Sequence, residues 1–382
     1  MKKILSIFLA FLFISVPAYA IETVPEESIT IPAPYAILME KTTGEIIYEK
    51  SAYEHVYPAS VTKIMTLLLV MEAIDSGTLA LDDMVTTSSR AASMGGSQIW
   101  LEEGEQMSVD EMLKCATVVS ANDCCVALAE HIAGSEEAFV DRMNEKATEL
   151  GMDNTHFTNC SGLMVSDDHY TCAYDTAVMS RALISYEKIK DYTTIWMDTA
   201  RDGQFGLSNT NKLIYYYEGA TGLKTGFTSQ ALHCLSATAE RDGVEYIAVV
   251  FKAQSSNDRF ESAKTLLNYA FANYTLMPLT PSEAIAPLDV TLGDVNSVQP
   301  VLGDSPSILI KKSDVSSVKY ELDLPEGISA PINAGQQLGT LKVYIGDKLY
   351  CDVPLVAENE VCRITIGKIF ASLVKTLLGV SE

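Results

Sequence analysis

The chain has 382 residues, with 50 acidic against 27 basic side chains and a formal charge of −23 at pH 7. A surface this acidic repels phosphate backbones, which excludes nucleic acid as a partner. The length suits two domains, or one large and one small.

In chain order, the first segment reads as a processing signal. Lys2 and Lys3 give a positive start, residues 4–16 are a short apolar run, and Ala18-Tyr19-Ala20 is a small-x-small cleavage site. The run is short for a bilayer span. Residues 1–20 are therefore expected to be a cleaved signal peptide, with an uncleaved anchor as the alternative. Without Lys2 and Lys3 the charge of −23 becomes −25. The mature chain is expected from Ile21, exported to the outer face of the cytoplasmic membrane or the cell wall, or to the periplasm where there are two membranes.

Residues 35–39 and 45–48, around Thr43-Gly44, predict a β-hairpin. Residues 60–75 predict a buried helix. Residues 109–133 are apolar at helical spacing, and 135–150 and 173–185 predict further helices. Residues 221–227, 234–239 and 246–251 predict strands, the last two joined by a turn at Arg241-Asp242-Gly243. A helix over 257–274 closes a large domain spanning 21–276. Strands at both ends with helices between them fit an α/β domain whose sheet unites distant segments. Met277 to Pro281 predicts a linker. Beyond it, 307–311, 318–324, 339–345 and 349–355 predict short strands of a small all-β domain over 277–358.

Residues 359–382 are different again. Ile366, Ile369, Phe370, Leu373, Val374, Leu377 and Leu378 recur at three- and four-residue steps on one helix face, opposite Lys368 and Lys375. Two lysines interrupt a spanning run, so the stripe predicts a helix lying in a membrane surface. Packing on the protein itself is the alternative. Among the eight cysteines, Cys115, Cys124 and Cys125 sit in apolar helical sequence, which predicts mostly free thiols. No C-x-x-C pair or metal-ligand spacing occurs, so neither a cofactor nor a metal is expected.

Three short motifs carry the chemistry: Ser60-Val61-Thr62-Lys63, Ser120-Ala121-Asn122 and Lys224-Thr225-Gly226. A serine hydroxyl needs a neighbouring base to act as a nucleophile. Residues three apart on a helix share a face, which puts Lys63 within reach of Ser60. Burial and nearby cations can make such a lysine a base. Each motif alone reads equally as a helix turn, a cap or a strand end. Their fixed order is far more specific.

With the flanks 36–45, 57–66, 169–171, 222–228 and 331–340, the ordered triple resembles the low-molecular-mass penicillin-binding proteins, the serine-type D-alanyl-D-alanine carboxypeptidases. The resemblance spans about residues 31–358. It implies an α/β (α+β) DD-peptidase-like domain with a largely antiparallel central sheet flanked by helices, followed by the small all-β domain. It further implies that Ser60 attacks the penultimate D-alanine, Lys63 takes its proton and Ser120 relays a proton to the leaving amine. Asn122 would hold the substrate amide and fix Lys63. Lys224 and Thr225 would bind the terminal carboxylate, Gly226 would permit close approach, and the N–H groups of Ser60 and Phe227 would form the oxyanion hole. Arg259 falls where the family carries an arginine near the carboxylate, with a surface salt bridge as the alternative. The implied partners are a peptidoglycan stem peptide ending in D-Ala-D-Ala and β-lactams as covalent inhibitors.

Two departures stand out. Ala231-Leu232 occupies the place of an expected Ala-Gly. No E-x-x-L-N glutamate lies between the second and third motifs, which favours a peptidase over a β-lactamase. A D,D-endopeptidase and a non-catalytic wall-binding scaffold are the other readings. Cys125, three residues beyond Asn122, is expected to share its face near the site.

Overall fold

The computed structural model describes residues 23–25, 28–163, 166–280, 284–303 and 307–370. The predicted signal segment and the end of the tail stripe lie outside the described residues. Two compact units emerge, one comprising Ile21–Thr275 and one built from Leu276–Glu382.

The first unit is built on a five-stranded sheet in the order Ile46–Lys50, Tyr35–Glu40, Val244–Ala253, Leu232–Arg241, Ala220–Thr228. Every neighbouring pair is antiparallel. Tyr35 lies opposite Phe251 and Glu40 opposite Tyr246, so the start and end of this unit meet mid-sheet. The predicted hairpin turn has φ of 52° at Asp242 and 76° at Gly243, the two positive values that a tight type I′ turn requires. The other hairpin closes on Glu40, whose carboxylate accepts from the N–H groups of Thr42 (2.7 Å) and Thr43 (2.6 Å).

The helix Lys63–Asp75 is buried from Lys63 to Met71. The helices Val109–Val118, Asn122–Ala133 and Ala173–Ile184 pack on it, and the last of these also packs on the sheet. Their apolar faces and the inner strand residues form one continuous core. Four of the unit's helices start on serine caps: Ser88, Ser108, Ser135 and Ser255 each accept an N–H from three residues on.

Three expectations need correction. The apolar stretch 109–133 is not one helix but two, broken at Ser120, whose φ is 63°. Apolar residues continue through the break because both helices are buried along most of their length. Ser60 does not open the α-helix; it sits on a preceding 3-10 turn, Ala59–Thr62. Met277 to Pro281 is not an open linker, since Tyr274–Pro278 is a strand and Leu279 is buried.

The second unit is rich in β-strands. Pro300–Leu302, Lys348–Ala357, Gln337–Ile345 and Val318–Asp323 form an antiparallel sheet in that order. Ser297–Val298, Leu288–Thr291 and Gly327–Ser329 form a smaller one. Residues 366–370 are helical, with Ile366 86 % and Phe370 68 % exposed. Among the described residues, no helix is long and apolar enough to cross a membrane.

Candidate active site

The 3-10 turn explains how Ser60 and Lys63 meet. In such a turn residues i and i+3 eclipse one another. Lys63 Nζ donates to Ser60 Oγ at 3.1 Å, to Asn122 Oδ1 at 2.6 Å and to the Ser161 carbonyl at 2.7 Å. An ammonium has three protons, and all three are engaged. Lys63 is fully buried. Burial lowers its pKa below the ordinary lysine value, against the opposing pull of Cys125, Cys160 and Asp123.

The second motif is the break between two helices. Asn122 opens the second helix and is held by the loop before it. Its N–H donates to the Ser97 carbonyl and its Nδ2 to the Gly95 carbonyl, both at 2.7 Å. That leaves Oδ1 turned to Lys63. The Ser120 hydroxyl is buried and has no hydrogen-bond partner among the described residues.

The third motif lies on the edge strand Ala220–Thr228. Lys224 is buried and donates to the Thr225 carbonyl at 3.0 Å. Burial first, then the charge of Lys63, lowers its pKa well below the ordinary lysine value. Thr225 Oγ1 donates to Thr210 Oγ1 at 2.8 Å, and the Thr210 N–H reaches the Val118 carbonyl just before the helix break. A Cβ on Gly226 would lie 2.9 Å from the Pro58 carbonyl oxygen and 3.2 Å from Ser60 N. Only glycine lets this strand pass so close to the serine turn.

The Phe227 side chain is exposed and rests against the His233 ring, centroids 4.5 Å apart. Arg259 is buried, not in a surface salt bridge. Its Nη1 donates to the carbonyls of Gly226 (3.2 Å) and Cys234 (3.5 Å), so it braces the edge strand. The site thus joins Ser60, Lys63 and Asn122 by direct bonds. Gly226 abuts them, and Lys224 acts on them through its charge.

Several supporting residues carried no sequence signal of their own. Gly162 has φ of 73°, and a Cβ there would fall 1.8 Å from the Ala59 carbonyl oxygen. This glycine seats the 159–162 loop, with its Ser161 carbonyl, directly on the serine turn. His169 ties the same pieces together. Its Nδ1 accepts from the Thr158 N–H at 2.9 Å, so Nε2 carries the proton and donates to Thr62 Oγ1 at 2.8 Å. Asp123 Oδ2 accepts from the N–H groups of Ile99 (3.0 Å) and Leu101 (3.1 Å). Polar types in a buried motif were the only available hint.

Cys125 is close enough to feel both Lys63 and Lys224, but it is fully buried, and burial pushes its thiol up to about 11. Cys362 is exposed, while the other seven cysteines are buried. Leu232 has φ of 55°, a region where bulky residues are strained and glycine is not. That accounts for the glycine expected there.

Residues 21–255 match the family described as D-alanyl-D-alanine carboxypeptidase. The chain belongs to this family. Residues 277–363 match the C-terminal domain of penicillin-binding protein 5. The chain is 44 % identical over 330 residues to the D-alanyl-D-alanine carboxypeptidase DacF of Bacillus subtilis, covering 85 % of each. Penicillin-binding protein 5 from Haemophilus influenzae has a similar structure, with a TM-score of 0.80 and 30 % identity over 90 % of this chain and all of that one. Penicillin-binding protein D2 from Listeria monocytogenes, solved in its ampicillin-bound form, matches 63 % of this chain and 98 % of its own, with a TM-score of 0.58 and 30 % identity. The DD-peptidase-like fold class read from the sequence is borne out, and the protein is a serine-type D-alanyl-D-alanine carboxypeptidase.

Proposed function

We propose that the enzyme is exported and trims the terminal D-alanine from peptidoglycan pentapeptides through an acyl-enzyme on Ser60. The buried Lys63 amino group, 3.1 Å from Ser60 Oγ, carries this reading. Ser60 Oγ attacks the carbonyl carbon of the penultimate D-alanine while its proton passes to Lys63, which acts as the neutral amine that its burial favours. The oxyanion is received by the N–H groups of Ser60 and Phe227, a contribution of several kcal/mol in such sites. Ser120 passes a proton to the departing D-alanine amine as the C–N bond breaks and is reprotonated from Lys63. Asn122 holds the upstream amide and keeps Lys63 in place. Lys224 and Thr225 bind the terminal carboxylate, since a buried cation and a hydroxyl suit it. Arg259 supports them through the Gly226 carbonyl. Water then hydrolyses the Ser60 ester.

The same serine would open a β-lactam ring and retain the acyl group. Among the described residues, the acceptors that Lys63 bonds are a hydroxyl, a side-chain amide and a backbone carbonyl, and none is a carboxylate. This favours a trapped peptidase over a β-lactamase. The tail stripe supports attachment to the outer face of the membrane, where fresh pentapeptide emerges.

The test pairs D-alanine release from a pentapeptide with mass detection of a penicillin adduct. Ser60→Ala should abolish both while leaving the fold intact. An adduct that persists in the variant, on another residue, would sink the assignment.

A further inference from the structure

Trp100 is 64 % exposed and has φ of 55°. A bulky residue in the left-handed region is strained and persists only where its surroundings fix it. Here they fix it from two sides. Buried Asp123 accepts the N–H groups of the two flanking residues, Ile99 and Leu101. Arg201 donates to the carbonyls of Ile99 (2.7 Å) and Trp100 (3.2 Å) while paired with Glu105 at 2.8 Å. The Phe205 ring meets the indole edge-on at 5.8 Å between centroids. The same 95–101 loop supplies the Gly95 and Ser97 carbonyls that hold Asn122. An exposed indole is therefore locked rigidly to the loop that anchors a motif residue.

We propose that Trp100 is a specificity-determining residue, a platform backed by Phe205 for the stem-peptide residues upstream of the scissile bond. This rests on the reading that Asn122 holds the upstream amide. The terminal carboxylate belongs to Lys224 and Thr225 on the edge strand, so the substrate runs from that strand towards Asn122. The 95–101 loop bonds Asn122 directly through Gly95 and Ser97. An aliphatic peptide segment gains contact with a rigid aromatic face at little entropic cost, and the indole loses none by being fixed already. On this reading a substrate ending one residue upstream of D-Ala-D-Ala, or a penicillin, stops short of the indole.

The experiment uses the mature chain and its Trp100→Ala and Trp100→Phe variants. Three rates are measured: D-alanine release from an L-Ala-γ-D-Glu-L-Lys-D-Ala-D-Ala pentapeptide, release from an N-acetylated Gly-D-Ala-D-Ala, and acylation by benzylpenicillin. Trp100→Ala should lower kcat/KM on the pentapeptide about tenfold, a size typical of one lost apolar contact region. The short substrate and penicillin should be unaffected, and Trp100→Phe should retain most of the pentapeptide rate. Equal losses on all three would make Trp100 merely structural and overturn the proposal. So would an unchanged pentapeptide rate. The chain has two tryptophans, so Ser60→Ala with Trp196→Phe leaves Trp100 as the reporter. Its emission should change with the pentapeptide and not with the short peptide; no change with either overturns the platform. Penicillin acylation of the parent separately reports whether the Ser60 reading stands.

Discussion

His169 is an acid-sensitive fastener at the site. Its Nδ1 is an acceptor for the Thr158 N–H, so a second proton on the ring would remove that bond. Burial, then neighbouring His156, lowers its pKa from 6.5 to about 4. An unfolded chain would bind the proton near pH 6.5. Between those values the unfolded state holds more protons, so stability falls as pH drops. The loss amounts to about 3 kcal/mol and is complete only below the folded value. His169→Gln removes this dependence. Urea midpoints at pH 7 and pH 4.5 should therefore fall further for the parent than for the variant. Equal falls would mean that His169 is already protonated in the fold or that its bonds do not matter. At this scale, residue type announced Ser60, Lys63 and Lys224, because their chemistry is in the side chain. It did not announce Ser161, which serves through a backbone carbonyl that any residue carries.

Among the elements, the edge strand Ala220–Thr228 and the turn Ala59–Thr62 decide whether the site is assembled. Their spacing is set at Gly226, where a methyl group would meet the Pro58 carbonyl at 2.9 Å and the Ala59 Cβ at 3.2 Å. Gly226→Ala must push the strand outward by a few tenths of an ångström, and the N–H groups around Ser60 move apart. Penicillin acylation should slow by about 100-fold, the cost of spoiling one oxyanion donor. Thermal unfolding should shift by only a few degrees, since the clash lies at a sheet edge. An unchanged acylation rate would show that the strand is not part of the anion site. The sheet itself was readable because its strands are apolar runs bounded by turn residues. The break at Ser120 was not, since a positive φ leaves no mark in apolar spacing. The 3-10 turn was hidden for a related reason: i, i+3 spacing serves both helix types. A strand such as Gly327–Ser329 is too short to show alternation.

For the whole molecule, the proposed membrane attachment has to hold an acidic chain at a lipid surface. A body of charge −23 is repelled by anionic headgroups. The tail's basic residues offset little of this, because Lys368 already pairs with Asp294 at 3.2 Å. On that proposal the attachment comes from the apolar stripe, whose first residues, Ile366 and Phe370, stand in solvent. Truncation should begin after Ile364, because the Cys362 and Ile364 N–H groups bond Asp294 and Leu292 within the β-rich unit. A gentler change is Phe370→Asp with Leu373→Asp, which breaks the stripe and keeps the length. This variant should leave vesicles of mixed neutral and anionic lipid, whereas 0.5 M salt should release the parent only slightly, because apolar burial is not screened. Its D-alanine release from soluble peptides should match the parent, since all three motifs lie within Ile21–Thr275. Continued sedimentation of the double variant with vesicles would make the stripe a packing or oligomer surface. Release of the parent by salt would instead make the attachment electrostatic.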